Sequence, residues 1–289
     1  MRAVTTLLIT TALVSAPAYA QSNNQYQAGD ATAVTNVEAD WAGDAGATAV
    51  ASGNAVTTTQ EDNDTNLAST QHMDGDTSAE ANATIWTATG NVAITSAAVS
   101  NGGTATIADG SSDIDAQQLG HGDANATVTL RNGYSLNAAT SASASNNTAA
   151  VSAQDAALRL LMNQESVGSV NASTEMDVDI VEDQAVSGAI ASANNLSVGG
   201  ETATVLNATR QNASGGSVTA RVDLYAGYAT DASGNATANA NSVTIDNQWG
   251  YVNAAIEQNS NVTVSADSYV TLGSDFTGFA SAGAYGVGN

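Results

Sequence analysis

The sequence predicts an all-β repeat fold, a β-solenoid or β-helix built from about six repeats of 47 residues. Three observations lead to this prediction. Two residue patterns recur at a constant spacing, short segments alternate between apolar and polar residues, and the single proline among the 289 residues, Pro17, lies near the N-terminus. Because proline removes a hydrogen-bond donor from a strand, its scarcity suits uninterrupted strand pairing.

The first pattern is Gln-x-x-x-Gly-x-x-x-Ala, and its glutamines are 46 or 47 residues apart. The fifth copy has Thr219 just before its alanine, and the sixth has Val262 in place of glycine. The glutamines are Gln25, Gln71, Gln118, Gln164, Gln211 and Gln258.

The second pattern is Ala-x-x-Asn, which keeps the same period. Each of its five asparagines lies 17 residues before a glutamine of the first pattern. The asparagines are Asn54, Asn101, Asn147, Asn194 and Asn241. Amides at equal phase can donate to and accept from their copies above and below, so both sets are predicted to form buried structural ladders.

Segments that alternate with period two are predicted as strands. Pairs typical of turns, such as Asn101-Gly102 and Gly215-Gly216, are predicted to separate them. The alternating segments are 128–130, 176–180, 241–245, 262–264 and 269–272.

One segment, Gln154 to Gln164, has helical periodicity through Leu158, Leu160 and Leu161. Its counterparts in the other repeats do not. The repeat therefore predicts a strand here against the local pattern, and no helix longer than about three turns in the mature chain.

The number of solenoid coils in one repeat is a separate question. A period near 47 residues is long for one coil of a narrow solenoid, so two or three coils, or a strand-turn-strand pair, are expected per repeat. Asn289 falls about where the next copy of the second pattern would begin, which leaves open a truncation at the C-terminus.

The N-terminus has the features of an export signal. Arg2 precedes the short apolar stretch 7–14, and Ala18-Tyr19-Ala20 fits a cleavage site. The predicted organisation is a signal peptide at 1–20 and a β-repeat array at 21–289, and the expected location is secreted or on the cell surface.

The charge excludes several classes of function. The chain has 28 acidic residues against five basic ones, all arginine, for a net charge of −23. Binding to nucleic acid or to an anionic membrane needs clustered cations and is not expected. With no lysine and no cysteine, Schiff-base and thiolate chemistry are excluded, and so are disulfides.

Candidate catalytic groups are few, so we predict no enzyme, no catalytic residue, no cofactor and no dedicated metal site. His72 and His121 lie at unequal phases and match no zinc spacing, which indicates solvated histidines. Carboxylates two apart in sequence share a strand face, which indicates a solvated acidic face. Such pairs could also bind Ca²⁺ weakly or serve a glycosidase. These pairs are Asp74/Asp76, Asp113/Asp115 and Asp177/Asp179.

Aromatic residues recur at a similar distance after the repeated glutamines, except in the fourth repeat, which has Ile180 at that place. They could be core or coil-end plugs, or a row of rings that stacks on sugar faces. The residues considered for glycan stacking are Trp41, Trp86, Tyr134 and Tyr228.

The last repeat, from Ser242 to Gln258, has weak similarity to the curlin repeat of bacterial amyloid fibres. The mature chain more closely resembles the holdfast-anchor family HfaD, through Gln25 to Ala33, Ala51 to Asn54, Thr70-Gln71 and Gln211 to Ala220. That resemblance implies an outer-membrane surface protein that fastens an adhesive polysaccharide, the holdfast, to the cell pole beside other anchor subunits.

The function predicted is therefore that of a secreted structural protein that anchors the holdfast. Its expected partners are extracellular polysaccharide, other surface anchor subunits and, through self-association, copies of itself. A curli-like fibre subunit is the alternative. A polysaccharide-degrading enzyme on a β-helix is a third reading.

Overall fold

The structure is a computed structural model that describes residues 11–13, 21–61, 64–273 and 278–289. All the regular elements in these ranges are strands, and every strand pairing is parallel. The predicted all-β repeat fold of the solenoid type is confirmed.

The strands stack on three sides of the molecule. Side one consists of the segments that contain the repeated glutamines, which are β2 (Gln21–Gln27), β5 (Thr65–Met73), β8 (Ser111–Gly120), β11 (Ala157–Val167), and the first parts of β13 (Thr204–Gln248) and β14 (Tyr251–Leu272). Side two follows in each coil and consists of β3 (Ala31–Ala42), β6 (Thr77–Ala88), β9 (Ala124–Ser135), the first part of β12 (Val170–Glu201), the middle of β13 and the end of β14.

Side three contains the repeated asparagines and closes each coil. It consists of β4 (Ala45–Glu61), β7 (Asn91–Ala108), β10 (Asn137–Gln154), the end of β12, the end of β13 and β15 (Phe279–Val287). The short strand β1 (Thr11–Leu13) pairs with 56–58 of β4. The rest of the predicted signal peptide lies outside the described residues.

One repeat forms one coil. Asn101 pairs with Asn54 of the coil before and with Asn147 of the coil after, at separations of 47 and 46 residues. The expectation of two or three coils per repeat is therefore wrong. The coil is wide because side three alone takes up 17 or 18 residues in β4, β7 and β10.

The coil turns several corners without ending a strand. Asn101 and Gly102 lie inside β7, and Gly215 lies inside β13 with a φ of 81° beside a register shift, so the turns predicted at these pairs do not interrupt the strands. Successive coils bend at the same place, which lets the parallel hydrogen bonds continue around the bend.

The segment with helical periodicity is a strand. Ala157–Val167 pairs with β8 on one edge and with β13 on the other. Leu158, Leu160 and Met162 are buried and alternate with more exposed residues. Stacking on two neighbours supplies hydrogen bonds to both edges, which outweighs a weak local preference for helix.

Between sides one and two the coils approach closely at a column of glycines. A Cβ atom built on Gly75 would overlap the carbonyl of Gly29, and one on Gly122 would overlap that of Gly75. The adjacent aspartates tie the corner together, since Asp30 Oδ1 accepts from Asp76 N at 3.0 Å and Asp76 Oδ1 accepts from Asp123 N at 2.8 Å. Glycine is required here because backbone contacts backbone.

The interior contains two apolar clusters. The larger one lies between side two and the first half of side three and consists mostly of alanine and valine. The smaller one lies between side one and the second half of side three and includes Leu158, Leu160 and Leu196. Alanine buries little area, so the sheets must approach closely, and backbone and amide hydrogen bonds take a large share in specifying the fold.

Candidate functional site

The repeated glutamines form a continuous column, which we call the Gln ladder (Gln25, Gln71, Gln118, Gln164, Gln211 and Gln258). Each Nε2 after the first donates to the Oε1 one coil earlier, over 2.7 to 3.1 Å. From Gln25 to Gln211 the same nitrogen also donates to a backbone carbonyl on side three, as Gln164 does to Asn195 O at 3.1 Å. Each amide nitrogen from Gln71 to Gln211 therefore makes two hydrogen bonds.

The repeated asparagines form a second column, the Asn ladder (Asn54, Asn101, Asn147, Asn194, Asn241 and Asn289). Each Nδ2 before the last donates to the Oδ1 one coil later, over 2.7 to 2.9 Å. Asn101, Asn147, Asn194 and Asn241 also donate to a side-one carbonyl, as Asn147 does to Glu165 O at 2.8 Å. Asn289, at the sixth position of the pattern, continues the column.

The two ladders lie where the apolar clusters meet, and they run in opposite directions. Glutamine amides donate toward the N-terminal coil and asparagine amides toward the C-terminal coil. The glutamine cross-links join side one to side three within a coil, and the asparagine cross-links join side three to side one of the next coil. We propose that both ladders are structural, since their hydrogen bonds hold sides one and three together in the interior of the solenoid.

The aromatic residues lie on the outside of the solenoid at the end of side two. Trp41 pairs with Thr87, Thr87 with Tyr134, Tyr134 with Ile180, and Ile180 with Tyr228. Trp86, which directly precedes Thr87, lies beside this column. Trp41 is 68% exposed and Trp86 is 65% exposed, so neither is a core plug.

Trp86 borders a shallow groove of about 400 Å³ that is also lined by Glu38, Ala39, Asp40 and Thr84. An exposed ring face next to carboxylates can take an apolar sugar face and the hydroxyls around it. Further along the column, the Tyr134 hydroxyl donates to Glu182, and this hydrogen bond raises the pKa of Tyr134. Tyr134 and Tyr228 are half-buried, so they offer less ring surface than the tryptophans.

The two histidines, which the sequence places at unrelated phases, lie side by side on the corner between sides one and two. His72 Nε2 is 2.7 Å from Asp74 Oδ1, and His121 Nδ1 is 3.1 Å from the same oxygen. Tyr26 OH donates to Asp74 Oδ2 at 2.7 Å, which lowers the pKa of Asp74 and raises that of Tyr26. Sequence analysis missed this group, although the separation of 49 residues, one coil plus two, indicates a shared face.

The other acidic pairs lie on outer strand faces. Asp113 and Asp115 are exposed on β8, and Asp113 Oδ2 is 3.6 Å from Arg159 Nη1 on the next coil. Asp177 and Asp179 are exposed on β12. Weak Ca²⁺ binding at such pairs stays a prediction, because each pair offers two carboxylates whereas Ca²⁺ takes six to eight oxygens.

The outer face of side one is also concave. A groove of about 480 Å³ runs beside Asp64, Asp113 and Arg159, and a second of about 380 Å³ runs beside Asp115 and Arg210. Asp64 accepts hydrogen bonds from the hydroxyl and the backbone N–H of Ser111. Both bonds lower the pKa of Asp64, and the hydroxyl has the larger effect. These grooves lack exposed tryptophan, so the edge of side two is the better candidate for sugar stacking.

No helix capable of crossing a bilayer occurs in the described part of the chain. The model of one protein family, described as "Holdfast attachment protein D", matches residues 39–289. No curated protein and no solved structure matches the chain.

Proposed function

Because the chain belongs to the Holdfast attachment protein D family, we propose that it is a secreted structural protein that anchors the holdfast, an adhesive polysaccharide, to the outer membrane at the cell pole. We propose further that residues 1–20 are its export signal and that 21–289 form the anchoring array. Other surface anchor subunits are its expected partners. The protein is a holdfast attachment protein, and a structural role fits that family better than an enzymatic one.

Exposed rings at the outer edge of side two favour direct contact with polysaccharide. Trp41 and Trp86 present their rings to solvent on adjacent coils, next to Glu38 and Asp40. Carboxylates accept hydrogen bonds from sugar hydroxyls, whereas they repel a sugar carboxylate. We therefore propose that this edge binds uncharged sugar residues.

The net charge of −23 also favours an uncharged sugar as the ligand. A strongly acidic protein attracts an acidic chain only through bridging cations, while neutral sugars carry no such penalty. Each ring contributes a modest energy, and several weak contacts along one polymer add through avidity. A rigid stack of coils suits such multivalent attachment.

A test of the anchoring function is to delete the protein from a cell that displays a holdfast. We expect the mutant to synthesise the polysaccharide but to shed it, because a structural link is lost while biosynthesis is intact. Lectin staining of cells and of spent medium measures the distribution, and re-expression of the wild-type chain is the control. Retention of the polysaccharide on mutant cells would contradict anchoring, and loss of synthesis would indicate a biosynthetic role instead.

A second prediction concerns the two tryptophans. Replacing Trp41 and Trp86 together by alanine should weaken binding to purified holdfast polysaccharide roughly tenfold, at about 0.5 to 1.5 kcal/mol for each stacking contact. Trp249→Ala is the matched control, since Trp249 is 89% exposed and lies off this edge between β13 and β14. Binding is measured by co-sedimentation, with circular dichroism to check folding. Equal loss of binding in the control variant would show that the side-two edge is not the polysaccharide-binding surface.

The alternative function of a fibre subunit has one structural feature in its favour. Strand β14 pairs only with β13 and β15 pairs only with β13 within the described residues, and both expose aromatic side chains such as Tyr251 and Tyr285. Such edges can pair with a second copy. Electron microscopy with thioflavin fluorescence distinguishes a fibre from a discrete anchor.

A further inference from the structure

The corner between sides one and two brings both histidines of the chain to one aspartate. His72 and Asp74 are two residues apart and leave the chain on the same side, next to Tyr26 of the preceding coil, which pairs with His72. Gly120 pairs with Met73, and His121 N donates to Met73 O at 2.8 Å, so His121 stacks over Asp74 on the following coil. Three successive coils thus contribute to one cluster.

The distances within this cluster resemble those around a metal ion. His72 Nε2 and His121 Nδ1 are 3.2 Å apart, and the Asp74 Oδ1 atom is 2.7 Å and 3.1 Å from them. Ligand atoms bound tetrahedrally at about 2.1 Å from one ion lie roughly 3.4 Å apart. The three atoms form a triangle only slightly smaller than one face of such a tetrahedron.

The surroundings of the cluster favour a cation. Tyr26 OH donates to the other carboxylate oxygen, Asp74 Oδ2, which orients the carboxylate and leaves Oδ1 directed at the histidines. Such an outer hydrogen bond typically accompanies a metal-binding carboxylate. The Tyr26 ring also contacts the His72 ring edge-on at 5.1 Å between centroids. The net charge of −23 adds a field that attracts cations.

We propose that His72 Nε2, Asp74 Oδ1 and His121 Nδ1 bind one divalent transition-metal ion of the zinc class. Two imidazoles and one carboxylate suit zinc, copper or nickel, whereas Ca²⁺ and Mg²⁺ prefer oxygen ligands throughout. The side chains of His72, Asp74 and His121 are 27%, 36% and 38% exposed, so the ion has a coordination position open to solvent.

The site joins two coils by side chains in addition to their backbone hydrogen bonds. His72 and Asp74 belong to one coil and His121 to the next. A bound ion stabilises the folded array because the unfolded chain does not hold these ligands together. The open position also provides a place where a donor group of a partner can complete the coordination.

Titration of the metal-free full chain with Zn²⁺ and Co²⁺ tests the proposal. We expect one ion per chain, Co²⁺ absorption typical of tetrahedral nitrogen and oxygen coordination, and a rise in the melting temperature with Zn²⁺. His72→Ala and His121→Ala should each lower the Zn²⁺ affinity at least tenfold and abolish the rise in melting temperature. Tyr26→Phe should lower the affinity by about tenfold, the effect of removing an outer hydrogen bond.

The matched control is Asp177→Asn, which removes one exposed carboxylate from a strand face that lies away from the histidines. It should bind Zn²⁺ like the wild type, and excess Ca²⁺ should not displace the ion. Wild-type affinity no higher than that of a His72→Ala/His121→Ala double variant would overturn the site. So would loss of binding in Asp177→Asn or full displacement by Ca²⁺, because both indicate diffuse attraction to the acidic surface. Circular dichroism of each variant shows that binding is compared between folded chains.

Discussion

Replacing Gln164 by leucine is expected to lower the free energy of unfolding by about 4 kcal/mol. The side chain is fully buried, and its removal takes one hydrogen bond from each of three polar atoms, namely Gln118 Oε1, Asn195 O and Gln211 Nε2. A buried polar atom that loses its hydrogen bond costs about 1 to 3 kcal/mol, and leucine restores none of these bonds. The apolar gain of leucine is small because the site is already dry.

The neighbouring Asn163→Leu is the control, because Asn163 is off the ladder phase and only half-buried. Unfolding in urea, followed by circular dichroism, measures both variants and also Asn147→Leu. The Asn147 variant should resemble Gln164→Leu, because it likewise removes one hydrogen bond from each of three polar atoms, Asn101 Nδ2, Asn194 Oδ1 and Glu165 O. Equal destabilisation by Asn163→Leu would show that the ladders contribute nothing beyond ordinary polar burial.

The repeat could be read from the sequence because the ladders constrain it. An amide stacked on its own copies must recur at an unchanged phase, so Gln118 and Gln164 mark successive coils even where the residues between them diverge. Stacking on the other repeats also predicted a strand for Gln154 to Gln164 against its helical periodicity, and the structure has a strand over Ala157–Val167. Stacking interactions therefore carry more information about this fold than local propensity does.

The width of the coil could not be read in the same way. A repeat fixes how far apart the stacked residues are in sequence, but it is silent on how many sides the chain forms between them. Bends such as that at Asn101 occur inside continuous strands. The number of sides in a coil therefore could not be obtained from the positions of turn-forming residues. The opposite directions of the two ladders depend on which carbonyls face each amide, and these come from non-local packing.

The histidine cluster shows what coil register adds to sequence motifs. Metal motifs are usually recognised by short spacings such as those within one helix or one loop. In a solenoid, a residue is adjacent to the residue one coil away, so a separation of 49 residues acts as a separation of two on the same face. Once the coil length is known, His72 and His121 become neighbours by counting alone.

A second large effect is expected from Ala189→Leu, which should destabilise the fold by about 3 kcal/mol. Ala189 is fully buried in a column of small residues, between Ala142 and Ala236 of the adjacent coils. Ser96 belongs to the same column, and its hydroxyl reaches Ala79 O on side two at 2.8 Å. Since an atom one bond beyond Cβ already touches the opposite backbone, leucine can enter only if the sheets separate, and such overpacking costs about 1 to 3 kcal/mol or more.

The same substitution at Ala208 is the control, because Ala208 is exposed on β13 and pairs in register with the half-buried Leu161 of the coil before. Ala208→Leu should change the stability by less than about 0.5 kcal/mol, as surface substitutions usually do. Urea unfolding of both variants decides the matter. A separation of the sheets at Ala189 also displaces the stacked coils above and below, so the loss should spread along the array. Equal stability of the two variants would mean that the alanine-rich cluster has room to adjust, and that close approach of sides two and three is not what holds the coil together.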